Sequence, residues 1–124
     1  MKELFKLQAD VCKTMANPVR MEIIYALKEG DKTVSELVEA MGLNKSNVSQ
    51  HLAILKSAEV VDARRDGQNI FYSIANEKIL EACRLMREVL TEQISKKQKL
   101  VDRIEEGEKS GAGVPARRDK KRRQ

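Results

Sequence analysis

The side chains of this 124-residue chain best suited to nucleophilic, metal-ligating or proton-shuttling chemistry are few: one histidine, His51, and two cysteines, Cys12 and Cys83. The cysteines stand 71 residues apart, and neither has a neighbouring histidine or second cysteine. A tetrahedral zinc site draws His and Cys ligands at short spacings, and no such cluster is present. There is no glycine-rich phosphate loop and no clustered carboxylate pair of the kind used in acid–base chemistry. The chain is therefore not expected to be an enzyme, and neither a metal site nor a cofactor is called for. Cysteines isolated on apolar helix faces read first as small buried hydrophobes.

The stretch LNKSNVSQHLAILK, residues 43–56, is chemically more telling. At helical spacing Val48, Leu52 and Leu55 form one apolar stripe. Ser46, Gln50, Ala53 and Ser57 take the opposite side, with Lys45 and Ser49 between the two. A solvated helix face usually carries Glu and Lys, yet no acidic residue occurs from Asn44 to Ala58. A face rich in hydrogen-bonding groups and free of negative charge suits contact with a polar partner.

The elements that position this face follow from spacing and caps. Residues 3–16 place Leu4, Leu7, Val11 and Met15 on one side of a first helix. Asn17-Pro18 supplies a cap and an N1 proline for a second helix, VRMEIIYALKE, which Gly30 is expected to end in a left-handed conformation. Asp31-Lys32 reads as a short loop. Thr33 and Glu36 have capping-box spacing at the start of a third helix, whose stripe is Val34, Leu37, Val38 and Met41. Gly42 to Asn44 breaks that helix, and Asn44 caps the next, which ends near Ser57 or Ala58. Two short helices joined by a glycine-containing turn have the layout of a helix-turn-helix. Val60 to Arg65 and Asn69 to Ile74 read as strands joined at Asp66-Gly67, a two-stranded wing.

Asn76 begins a long last helix in which Ile79, Cys83, Met86, Leu90 and Ile94 step at helical intervals. The stripe resumes at Val101 and Ile104. So small a domain cannot cover so long a stripe, and a second copy of the chain is the expected cover, with the first helix as companion. The expected interface includes Leu4, Val11, Ile79, Met86, Leu90 and Ile94. The fold class is mainly α with a small two-stranded β wing, dimerising through the first and last helices. Residues 1–106 form the folded domain, and 107–124 are expected to be a flexible linker, GEKSGAGVP, and a disordered basic tail.

The net charge of +5 does not by itself identify a partner. Six of the 24 Lys and Arg and one of the 19 Asp and Glu lie between Arg117 and Arg123, leaving 18 of each sign in the rest of the chain. The folded body is electrically balanced, and the whole excess sits in the tail. That tail reads either as a source of non-specific phosphate contacts or as a tolerated end. No apolar run approaches the ~20 residues needed to span a membrane. The first ten residues lack an apolar signal core, so a cytoplasmic location is expected.

Three segments together resemble the ArsR/SmtB family of winged helix-turn-helix bacterial repressors. They are MANPVRMEIIYAL at 15–27, TVSELVEAMGLNKSNVSQHLAILKSAEVV at 33–61, and RRDGQNIFYSI at 64–74, and the likeness extends over roughly residues 10–95. The resemblance implies a homodimer that binds double-stranded DNA at a palindromic operator. The residues agree with that implication. Asn and Gln can bond adenine bidentately and Lys can reach guanine, so Lys45, Ser46, Asn47, Ser49 and Gln50 are candidate base-edge readers. Ala53, small and outward, would let the helix lie close to the groove floor. Arg64, Arg65 and Gln68 suit phosphate or minor-groove contacts. His51, at the edge of the polar face, is expected to pack or to bond a phosphate. Arg20 is expected to make either a salt bridge or a phosphate contact, and Tyr72 to pack in the wing.

Family members often sense metals through cysteines in the third helix or His and carboxylate pairs in the last. This third helix has no cysteine and this last helix no histidine. Other members link a cysteine pair in response to oxidants or reactive sulfur, which makes Cys12 and Cys83 a candidate redox switch, although the first such cysteine usually lies in the second helix. A metal- or metalloid-responsive repressor with a non-standard site is one alternative. A protein-binding winged helix is another, and it would want apolar or acidic groups on the outer face of residues 45–57.

Overall fold

The computed structural model of the protein describes residues 1–109. In chain order the elements are α1 (Lys2–Met15), α2 (Pro18–Ala26) continued by a 3-10 turn (Leu27–Glu29), β1 (Lys32–Thr33), α3 (Val34–Met41), α4 (Lys45–Ser57), β2 (Val61–Asp66), β3 (Asn69–Ile74) and α5 (Glu77–Lys109). The chain divides within α5 into a unit Met1–Arg84 and a second unit beginning at Leu85. The α5 helix runs through Gly107 to Lys109, so the linker expected from residue 107 does not begin there. The rest of that linker and the basic tail lie outside the described residues.

Helix starts follow the caps. The Asn17 side chain accepts from the Val19 and Arg20 amides at 2.9 and 3.2 Å, with Pro18 in the first turn. At α3 the capping box is complete: Thr33 Oγ1 accepts from the Glu36 amide at 3.2 Å, and Glu36 Oε1 accepts from the Thr33 amide at 2.9 Å. Asn44 and Asn76 accept from the Asn47 and Lys78 amides at 2.7 and 2.9 Å. Each cap satisfies amides that no preceding turn can reach.

Helix ends divide into two kinds. Gly42 closes α3 in the left-handed region, φ 69° and ψ 22°, which turns the chain sharply into α4. Gly30 departs from the expected left-handed stop. Its φ of 132° and ψ of −179° are extended backbone of the mirror region, reached after the 3-10 turn. The reason lies one residue on, because the chain must emerge extended to lay Lys32 and Thr33 against β3.

That pairing corrects the two-stranded wing. β1, in place of the loop expected at Asp31-Lys32, pairs antiparallel with β3, Lys32 opposite Tyr72 and Thr33 opposite Phe71. The β2–β3 hairpin runs from Val61 opposite Ile74 to Asp66 opposite Asn69, and the sheet order is β1-β3-β2. A two-residue strand is too short to show any alternation in sequence. The hairpin turn is Gly67-Gln68, one residue later than Asp66-Gly67, with Gly67 at φ 66°.

The core is wholly apolar: Ile23, Ile24 and Leu27 from α2 and its 3-10 turn, Leu37 from α3, Val48, Leu52 and Leu55 from α4, and Val60 and Val61 at the start of the wing. Val34, Val38, Met41, Met15, Tyr72, Ile74, Ile79 and Cys83 pack around it. Of the stripe expected on α1, Met15 joins the core margin while Leu4, Leu7 and Val11 stay exposed.

The passage from α4 to β2 is a tight reversal. The Val60 amide donates to the Leu55 carbonyl and the Glu59 amide to the Lys56 carbonyl, both at 2.9 Å, with Glu59 at φ 61°. This is the double hydrogen bond of a Schellman ending, with Glu where glycine is usual. Left-handed backbone costs an L-residue roughly 1–2 kcal/mol, part of which glycine returns as unfolded-state entropy. Glu59→Gly is therefore expected to raise stability by up to about 1 kcal/mol, while Leu52→Ala is expected to lower it by roughly 2–5 kcal/mol. Urea unfolding followed by circular dichroism, at fixed protein concentration, measures both.

Candidate nucleic-acid interface

Burial fixes how α4 is rolled. With Val48, Leu52 and Leu55 fully buried, Lys45, Ser46, Asn47, Gln50 and Ala53 are exposed and Ser49 is half-buried. The side chains of Lys45, Ser46, Asn47, Ser49 and Gln50 make no hydrogen bond to any other described residue. Their donors and acceptors are uncommitted among the described residues. The first turn of α4 holds no acidic residue, so Lys45 and the positive end of the helix dipole act in the same sense there. Ile54, an apolar residue absent from the expected set, is also exposed on this helix. It falls a turn beyond Gln50, and only the burial pattern separates it from the core leucines.

His51 is tied into the fold. Its Nδ1 accepts a hydrogen bond from Arg20 Nε at 3.1 Å, and Arg20 Nη1 donates to the Thr14 carbonyl at 2.8 Å. Accepting at Nδ1 makes His51 the neutral tautomer with its proton on Nε2. The salt bridge expected as one option for Arg20 does not form: among the described residues no carboxylate lies within 4.0 Å of it. Its protein partners are a ring nitrogen and a carbonyl oxygen. Thr14 had no sequence signal for this contact.

The two wing arginines differ in a way their adjacency in sequence conceals. Arg64 donates to Asp31 at 3.2 Å, lies 3.7 Å from Asp66, and sits over the Phe71 ring at 5.1 Å. Arg65, next along β2 and therefore on the other face of the hairpin, has no ionic or hydrogen-bonding partner for its side chain among the described residues. Gln68 is exposed in the turn. Asp31, which holds Arg64, lies 33 residues earlier and escaped sequence reasoning. Tyr72 packs at the core margin, as expected.

The titration shifts that stand out belong to α5 and not to this surface. The Arg84 hydrogen bond at 2.6 Å holds the Glu81 carboxyl below the usual carboxylate range and raises Arg84 in turn. Cys12 is exposed and Cys83 half-buried, and neither is in a disulfide. Among the described residues no group of three or more His, Cys, Asp and Glu is placed to hold a metal ion. No helix there is long and apolar enough to cross a membrane.

Comparison with known proteins agrees with this geometry. The family of bacterial regulatory proteins designated arsR matches residues 17–63. An uncharacterised HTH-type transcriptional regulator of Mycobacterium tuberculosis, Rv0081, is 41% identical over 105 residues, covering 84% of this chain and 92% of the relative. Its crystal structure superposes with a TM-score of 0.70 at 44% identity, over 76% of this chain and 95% of that one. The solution structure of a fragment of Mb0332 from Mycobacterium bovis, described as a homodimeric winged helix-turn-helix DNA-binding domain, gives a TM-score of 0.70 at 33% identity over 77% of this chain and 88% of that one. The transcriptional repressor SdpR of Bacillus subtilis is 40% identical over 72 residues, 58% of this chain and 79% of the relative. This chain belongs to the ArsR family of winged helix-turn-helix regulatory proteins.

Proposed function

We propose that the protein is a homodimeric, sequence-specific DNA-binding repressor that reads a palindromic operator with α4. The observation that carries this reading is the outward face of α4, a set of uncommitted hydrogen-bonding side chains held in one orientation by a fully buried opposite face. Side chains of this size and type reach base edges when the start of a helix enters a major groove. Asn47 and Gln50 supply bidentate amides, Lys45 a cation, and Ser46 and Ser49 short hydroxyls. Arg65 and Gln68 contact the backbone or minor groove from the wing. Arg64 is the wing's own brace, because Asp31 already answers its charge. The homodimer of the Mb0332 fragment supports the assignment of a second copy as the cover for Leu4 and Val11 on α1 and for Met86, Leu90 and Ile94 on α5, with Ile79 at the core margin.

Release from DNA follows from a change in the spacing of the two α4 helices, since half-sites are read about one DNA turn apart. The thiol reading assigns that change to Cys12 and Cys83. Two thiols give up two electrons and two protons to an oxidant and form a disulfide, or a polysulfide gives one sulfane sulfur to bridge them while a second takes up the two electrons and two protons and leaves as hydrogen sulfide. The exposure of Cys12 supports this reading, because a sensing thiol must meet its oxidant. The packing of Cys83 against the core makes its modification disruptive.

Three outcomes check these assignments. Gln50→Ala and Asn47→Ala are each expected to cost about 1–3 kcal/mol of specific binding and to relax preference at one operator position, measured by footprinting and titration on the protein's own promoter. Arg65→Ala is expected to weaken all sequences alike. Oxidant or polysulfide should shift the mass of the wild-type protein and weaken operator binding; an identical response from the Cys12→Ser, Cys83→Ser double variant would remove the thiol reading and leave the DNA reading intact.

A further inference from the structure

Arg20 holds an unusual electrostatic position. It lies in the first turn of α2, where the helix dipole disfavours a cation and where no acidic residue compensates. It is half-buried, and two of the five guanidinium donors are spent on His51 Nδ1 and the Thr14 carbonyl. The Thr14 carbonyl belongs to the last turn of α1, whose partial negative charge offsets part of the cation. No carboxylate completes the neutralisation among the described residues. The remaining donors of the fork and the Nε2–H of His51 have no partner among the described residues. His51 itself lies on α4, one position after Gln50, at the flank of the face assigned to the groove. A cation anchored through two of its donors, beside a neutral N–H donor on the recognition helix, is a preorganised site for a tetrahedral oxyanion carrying negative charge.

We infer that Arg20 and His51 form a phosphate clamp, in which the free edge of the Arg20 guanidinium and the His51 Nε2–H grip one DNA backbone phosphate at the edge of the groove entered by α4. The Thr14 carbonyl and His51 Nδ1 are the positioning contacts that hold the fork. The inference rests on the DNA-binding reading above and adds to it a residue outside the recognition helix. The clamp sets the register of α4 along the backbone and carries no sequence information, as phosphate contacts do. It also ties the end of α1 to the recognition helix through a single side chain.

The test separates a charged phosphate contact from a purely structural one by salt dependence. Each neutralised phosphate contributes about 0.9 to the slope of log affinity against log salt concentration on duplex DNA. Arg20→Gln, which keeps an amide donor for the Thr14 carbonyl, is expected to lower the slope by about 0.9 per bound protomer and to weaken specific and non-specific duplexes by the same factor. Arg20→Lys, which keeps the charge, is expected to keep the wild-type slope. If Arg20→Gln binds with an unchanged slope, or loses affinity for the operator alone, the clamp is wrong and Arg20 is only a brace. A measurement on the wild-type protein guards against misfolding of the variant: the Arg20 guanidinium resonances should shift when operator DNA is added at constant salt, and unshifted resonances in a formed complex would overturn the clamp. Failure of the wild-type protein to bind duplex DNA at all would instead overturn the function proposed above, so the two failures are distinguishable.

Discussion

The burial of Val48, Leu52 and Leu55 is the constraint on which the rest of the molecule turns. Each is fully buried, and a buried aliphatic side chain of this size contributes roughly 1.5–3 kcal/mol. Their partners come from α2, α3 and the first residues of the wing, so one stripe joins four segments of chain. A rotation of α4 by one residue would drive Ser49 and Lys56, or Asn47 and His51, into a core in which no polar side chain is buried among the described residues. The roll of the helix is therefore set by a penalty of several kcal/mol, whereas the composition of its outer face is almost unconstrained by folding. That separation lets the outward residues be chosen for recognition alone. The Asn44 cap at one end and the Glu59 reversal at the other fix the length of the helix between the turn and the wing.

Charge in this protein works locally. The body carries as many acidic as basic residues, so no broad field draws it to a polyanion. What matters is which cations are already answered. Arg64 has Asp31, Asp66 and the Phe71 ring, but exposed pairs of this kind contribute at most about 1 kcal/mol. They orient Arg64 without locking it, and they brace β2 against the loop before β1. Arg65 and Arg20 have no counter-charge among the described residues, one exposed on the wing and one half-buried beside α4. Adjacent arginines in a sequence are thus different objects once strand alternation has placed them on opposite faces.

Much of this was legible in the sequence because the signals were local. Asn17, Thr33, Asn44 and Asn76 each announce a helix start through a side chain that reaches an amide two or three residues on, and that geometry needs no knowledge of the fold. The α4 stripe was legible because its period is fixed. What escaped depended on partners distant in sequence. β1 exists only because β3 is there to pair with it, and Gly30 takes mirror-region backbone only because β1 must follow. The Arg20–His51 contact spans 31 positions and the Arg64–Asp31 contact 33, and no residue type in either announces its partner. Ile54 shows the same limit on a smaller scale, since periodicity ranks it near the core edge and only packing leaves it exposed.

The long α5 helix poses the remaining physical question, which is what keeps 33 residues helical. Propensity alone is a weak support, and most helical stability in proteins comes from packing an apolar face. Met86, Leu90, Ile94, Val101 and Ile104 are all exposed within the chain. A second copy of the chain, the cover proposed above, offers the same stripe. Between Ile94 and Leu100 the sequence SKKQK interrupts the apolar surface. Five consecutive polar residues with three lysines cannot be buried face to face without cost, since like charges would meet in a dry interface. The exposed apolar surface of this helix is consequently divided into a section around Met86–Ile94 and another around Leu100–Ile104, with the lysines left to water.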